Sequence, residues 1–208
     1  MARTSQPSPL LKDLKIEYHV RQFNGSFLQE EIYRKEASPE VDEAWQSLGV
    51  DYKSVVIPSD QAALSGFTED HTQIRPEHGG GYPANVEGLH HLRCLNLLRQ
   101  GLYYNYDYYQ EKQESAFLNG EPILRLHITH CLDILRQQLM CTVDFGVLGR
   151  VWWNKKDPTA FPDFNTKHKC LNFEDVKNWA FEHQTPERVP DDYLVPPRDL
   201  DIVSEGMS

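Results

Sequence analysis

The 208-residue sequence predicts a mainly α fold with minor β structure (α+β), a single domain built around two related helices. Three observations predict it. Apolar residues recur at helical spacing from Val86 to Gln100 and again from about Ile123 to Cys141. Those two stretches contain a repeated segment, LHHLRCLNLLRQ from Leu89 and LHITHCLDILRQ from Leu126. Strand-like runs, by contrast, are short and lie near the N-terminus and after residue 142.

The chain is long enough to bury a core as one domain. Its 39% hydrophobic and 25% charged content is that of a globular protein, and its net charge of −10 argues against nucleic acid or an anionic membrane surface as partner. The N-terminus, MARTSQPSPLLKDLK, holds no apolar run of leader or anchor length, and no later segment reaches the length of a spanning helix. As written, the chain reads as soluble and cytoplasmic by default, or lumenal in the secretory pathway if an N-terminal anchor was removed. The four cysteines, Cys94, Cys131, Cys141 and Cys170, allow three full pairings, and spacing does not choose among them.

In order along the chain, residues 1–40 form an N-terminal segment. Within it Ile16–Tyr33 reads as a β-hairpin turning at Asn24-Gly25. Ser38-Pro39 starts a short helix with Trp45 and Leu48 on its apolar side and Gly49 as its stop. Ser59-Asp60 caps a brief helix through Leu64, and the polar stretch 66–85, with glycines at 79–81, reads as a loop. The two repeat helices follow, joined by a Tyr-rich stretch and a turn at residues 119–122. Val143–Trp153 reads as extended, and Asn172 caps a last helix, Phe173–His183, with Asp175 placed to return to the cap. Residues 184–208, rich in Pro and Asp, form a tail that wraps the surface or is partly disordered.

Seven of the twelve repeat positions are identical, among them His90/His127, Cys94/Cys131 and Arg99/Arg136. On a helix, residues at i, i+3, i+4, i+7 and i+8 share one face. That face carries His90, Arg93, Cys94, Leu97 and Leu98 in the first segment, and His127, His130, Cys131, Ile134 and Leu135 in the second. If the helices pack together, their imidazoles converge and His90, His127 and His130 can form a three-histidine site, with Arg93 where a fourth would lie. Such imidazoles suit Zn, Cu, Fe or Ni. The bland alternative is a set of polar residues satisfied at a helix contact, with Cys94 and Cys131 as small buried residues or an inter-helix disulfide. Asn96, Asp133, Arg99 and Arg136 fall off this face and read as helix-supporting or salt-bridged. No motif points to flavin, nicotinamide or haem.

These residues resemble the UstYa-like proteins of fungal mycotoxin biosynthesis, which carry two His-x-x-His-Cys motifs. His127-Ile-Thr-His130-Cys131 matches the second motif in full, and His90-His-Leu-Arg93-Cys94 matches the first except for Arg93. The likeness extends to Asp42–Leu48, Gly81-Tyr82, the Tyr-rich segment near 103–109, LRQQLMC with Asp144, and His168-Lys-Cys170 through Trp179. It places a UstYa-like domain at 41–183 and implies tailoring of a small-molecule or peptide-derived metabolite, by oxidative cyclisation or C–H oxidation, with copper for some members. Carried over by position, His90, Cys94, His127, His130 and Cys131 are its functional residues.

Three readings follow. In the first, an oxidase holds copper through His90, His127 and His130 and uses dioxygen. In the second, a redox-neutral cyclase or isomerase works without metal, its catalytic groups being Arg93 with His90, His127 and His130. In the third, the chain is a non-catalytic partner in a homo- or hetero-oligomer with a related pathway protein. Arg93 divides the first two, because a guanidinium stays protonated and opposes a bound cation.

Overall fold

A computed structural model of the chain describes residues 8–26, 28–142, 144, 146–152 and 155–198. Among these residues lie six α-helices and three two-stranded antiparallel ribbons, so the expected mainly α class with minor β structure holds. By their contacts the residues fall into two compact units, each stitched from separate stretches of chain.

One unit comprises Met1–Glu17, Tyr52–Glu87 and Asn172–Ser208. It contains α1 (Leu10–Asp13), and β2 (Val55–Ile57) paired antiparallel with β3 (Tyr82–Ala84). Val-Val-Ile is a β-branched run, and Val55 and Ile57 bury their side chains on one face. The brief helix expected after Ser59 forms instead as a 3-10 turn, Ala62–Ser65, closed by Gly66 in the left-handed region. Gly79, Gly80 and Gly81 all have positive φ, and a Cβ on Gly81 would lie 2.6 Å from the Ile57 carbonyl oxygen. Only glycine meets both demands there.

The last helix, α6 (Phe173–Glu182), buries Trp179 and Ala180, and the Trp179 indole N–H donates to Asp13 at 2.9 Å. Asn172 does not cap it through its side chain, contrary to the sequence expectation. Its Oδ1 accepts from the Glu17 N–H at 3.1 Å, and its amide donates to Asp175 at 2.6 Å. A long-range acceptor role has displaced the local one. The described part of the tail is anchored: Tyr193 is buried, its carbonyl accepts from Arg75 N–H at 2.9 Å, and Val195 N–H donates to Gln73 O at 2.8 Å.

The other unit comprises Tyr18–Asp51 and Gly88–Leu171. Its β1 (Tyr18–Gln22) pairs antiparallel with β6 (Lys167–Leu171), Tyr18 opposite Leu171. The hairpin expected at Ile16–Tyr33 is therefore corrected. Gly25 N–H donates to the Asn165 side chain, Asn24 accepts from Ser26 N–H, and Ile32–Arg34 is a 3-10 turn. β4 (Arg150–Trp152) pairs with β5 (Ala160–Pro162), which supplies part of the extended segment expected over Val143–Trp153; its two end residues lie outside the described residues.

α2 (Pro39–Gln46) begins as its sequence dictates, with Pro39 in the first turn and the Ser38 hydroxyl accepting from Val41 N–H. Its Val41 and Trp45 pack with Val50 as one small cluster. A second cluster gathers Cys94 and Leu97 of α3 (Glu87–Gln100), Tyr109 of α4 (Tyr106–Lys112), Phe117, and Leu124 and Cys131 of α5 (Glu121–Cys141). The two repeat helices thus meet through their matching cysteines.

Candidate functional site

The buried stripe of each repeat helix sets the site. Cys94 is 0% exposed and Cys131 2%, both inside the apolar cluster that clamps α3 to α5. Helical spacing then puts the residues one turn earlier, His90 and His127, at the edge of that stripe. A cavity of about 120 Å³ opens there, with His90, Arg93, Cys94, His127 and Cys131 along its repeat-helix side. Five of the six residues singled out from the sequence therefore share one cavity. The sixth, His130, is exposed and is not part of the lining.

The electrostatics follow from this placement. Burial lowers the pKa of His90, aided by the charges of His91, Arg93, His130 and His127; burial, His130 and Arg93 lower that of His127. Both shifts favour the neutral, proton-accepting imidazole, at half-buried His90 and at His127, whose side chain is exposed. Arg93 is held by its Nε–H, which donates to the Val50 carbonyl at 2.7 Å. The Cys94 sulfur lies 3.7 Å from His90 Nε2. Burial, with the hydrogen bond to Cys94, pushes the Cys131 thiol up to about 12, so it stays protonated.

Among the described residues no three His, Cys, Asp or Glu side chains stand close enough to hold a metal ion. His130 lies outside the cavity lining, and Arg93 shares that lining with His90 and His127. What the cavity can do chemically is accept protons at His90 and His127 and hold a negative oxygen at Arg93.

The opposite side of the same cavity carries a network that sequence reasoning did not find. Asp42, 9% exposed, accepts from Arg99 Nη2 at 3.0 Å and Lys112 Nζ at 3.1 Å, and from the Tyr109 hydroxyl. Arg99, 6% exposed, also donates from Nε to Asn96 at 2.9 Å, and its guanidinium carbon lies 5.5 Å and 5.2 Å from the Trp45 and Tyr109 ring centres. Arg99 Nη1 makes no hydrogen bond among the described residues, and the two ring faces give the cation its compensation. Burial pushes the Asp42 carboxyl up, but the hydrogen bonds from Tyr109, Lys112 and Arg99 outweigh it and hold the group below its usual range. Burial and the bond to Asp42 raise the Tyr109 phenol well above its usual value. The one signal available was the placement of Asp42 one turn before Trp45 on a helix whose apolar face is otherwise unbroken. Its partners come from 57 to 70 positions away. Asn96 and Arg99 do pair, as expected, and so do Asp133 and Arg136, at 2.7 Å on the surface.

The family model described as the mycotoxin biosynthesis protein UstYa matches residues 1–183, and the chain belongs to that family. It is 27% identical over 178 residues to the UstYa family oxidase phomYc of Diaporthe leptostromiformis, covering 83% of this chain and 67% of that protein. It is 26% identical over 184 residues to the UstYa family oxidase aprY of Aspergillus flavus, covering 85% of this chain and 55% of the relative. It is 27% identical over 174 residues to the transacylase cctO of Talaromyces islandicus, covering 81% and 57%. The chain thus spans between 55% and 67% of the length of these relatives. No solved structure matches it. Among the described residues, no helix is long and apolar enough to cross a membrane.

Proposed function

We propose that this chain is a tailoring enzyme of fungal secondary metabolism, working by proton transfer at the α3–α5 cavity during an oxidative cyclisation or C–H oxidation. The observation that carries this reading is the company of two neutral-leaning imidazoles, His90 and His127, and one fixed cation, Arg93, on a single cavity. Arg93 holds a carbonyl or carboxylate oxygen of the metabolite, so the adjacent C–H or O–H becomes more acidic. His90 or His127 takes that proton. His130, exposed and one turn on from His127, passes protons between the cavity and solvent. Cys94 and Cys131 form an apolar floor that keeps water from the reacting carbon.

The names of the relatives, oxidases among them, support the oxidative reading, in which dioxygen is the electron acceptor. A second reading is a redox-neutral cyclase or isomerase using the same residues without metal. Arg93 favours it, because a positive charge beside both imidazoles disfavours a bound cation. A relative named transacylase also supports chemistry other than oxidation. Tag-free protein, incubated with Cu(II), desalted and assayed by plasma mass spectrometry, separates the two. Near-stoichiometric copper, lost in the His90→Ala/His127→Ala variant, supports the copper oxidase reading, to be assayed under oxygen. A folded protein that retains no copper overturns the copper route and leaves the acid–base cyclase, to be assayed anaerobically.

A further inference from the structure

The β1–β6 ribbon carries a second constellation that the cavity does not use. Register places His19, Arg21 and Phe23 on one face with Cys170, His168 and Thr166, since residues directly opposite in an antiparallel pair project to the same side. This is the more sheltered face of β6: His168 and Cys170 are half-buried, whereas Lys167, Lys169 and Leu171 are exposed. His168 is held on three sides. Its Nδ1 lies 3.1 Å from Asp144 Oδ2, its Nε2 lies 2.8 Å from Thr166 Oγ1, and its ring stacks on Phe23 with centres 3.8 Å apart.

The donor roles follow from chemistry. The Gly146 N–H and His168 lower the Asp144 pKa, so this carboxylate is ionised and can only accept. Nδ1 must then donate to Asp144, and in the neutral imidazole this leaves the Nε2 lone pair to accept from the Thr166 O–H. A hydroxyl on a base, with that base oriented by a third group, is the arrangement that activates a nucleophile.

We infer that Thr166, His168 and Asp144 form a second reactive centre, an acyl-accepting triad for carboxylic esters and thioesters. Thr166 Oγ bonds to the carbonyl carbon as its proton passes to His168 Nε2. Arg21, opposite His168 on the same face, supplies positive charge to the oxygen anion that develops. The bond to the leaving alcohol or thiol then breaks, and the proton on Nε2 goes to that group. Water or an amine releases the acyl group from Thr166 by the same steps, its proton again taken at Nε2. No electrons change hands, and no metal enters.

The test uses the full chain, a fluorophosphonate probe and p-nitrophenyl acetate. In the unaltered protein, peptide mass mapping is expected to place the phosphonyl adduct on Thr166. Ester cleavage is expected to fall by about a hundredfold or more in Thr166→Val and His168→Gln, to persist in Thr166→Ser, and to be unchanged in Lys167→Ala on the other face. An adduct on another residue, or no adduct, overturns the proposal, as does a folded Thr166→Val variant that cleaves at the unaltered rate. The mapping needs no variant, so a substitution that fails to fold does not decide the outcome. Copper retention at the α3–α5 cavity has no bearing on it, so the two proposals fail separately.

Discussion

Asp42 and Arg99 form an ion pair that water hardly reaches, and its energetics are those of a buried charge rather than a surface bridge. Removing one partner leaves the other charged and uncompensated, so Asp42→Asn is expected to cost about 3 kcal/mol near neutral pH by urea denaturation. The sign of its pH dependence is fixed by the depressed pKa of Asp42. The contribution is present above the unfolded value near about pH 4 and is lost as pH falls through the lower folded value, so the gap between variant and parent closes in acid. A constant gap across that range would place the stabilisation in packing instead. The repeat shows what can be seen at this scale. Cys94 and Cys131 were matched by sequence register and do meet in the core. Arg99 and Arg136 are just as identical in sequence, yet one is buried against two rings and the other exposed. Neighbours brought in by α2 and α4 make that difference, and nothing in the repeat encodes them.

At the scale of elements, helices with local start signals were legible and strand pairs were not. Ser38-Pro39, Gly49 and the two apolar periodicities sit within a few residues of what they control, so α2, α3 and α5 lie where the pattern put them. β1 finds its partner about 150 positions later, and the Asn24-Gly25 dipeptide, a strong local turn signal, was overridden by that distant pairing. The candidate cavity was half legible for the same reason: its repeat-helix side follows from spacing, its Asp42 side from tertiary contact. The glycines of this chain give a paired test of local geometry. Gly81→Ala forces a side chain into positive φ and against the Ile57 carbonyl, and a loss of about 1–3 kcal/mol in thermal denaturation is expected. Gly88→Ala, with open space around it in the first turn of α3, is expected to be neutral or stabilising by about 0.5 kcal/mol. Equal effects at the two sites would refute the geometric account.

At the scale of the whole molecule, the two units are each assembled from distant segments, and one depends on the end of the chain. The residues after Gln184 add the Thr185 N–H bond to Ser54, the Tyr193 and Val195 bonds to Arg75 and Gln73, and the buried Tyr193 ring. A chain ended after Gln184 is expected to lose hydrogen-exchange protection at Arg75, while Val56, bonded to the retained His183 carbonyl, keeps its own. Unchanged protection at Arg75 would mean that the tail merely lies against the unit. Segment order also has a consequence during synthesis. All segments of the cavity-bearing unit precede Asn172, so they are synthesised before the last segment of the other unit. The other unit must wait for residues from Asn172 onward, because the His183 and Tyr193 carbonyls accept from Val56 and Arg75 N–H, and that interval is when a chaperone has something to bind.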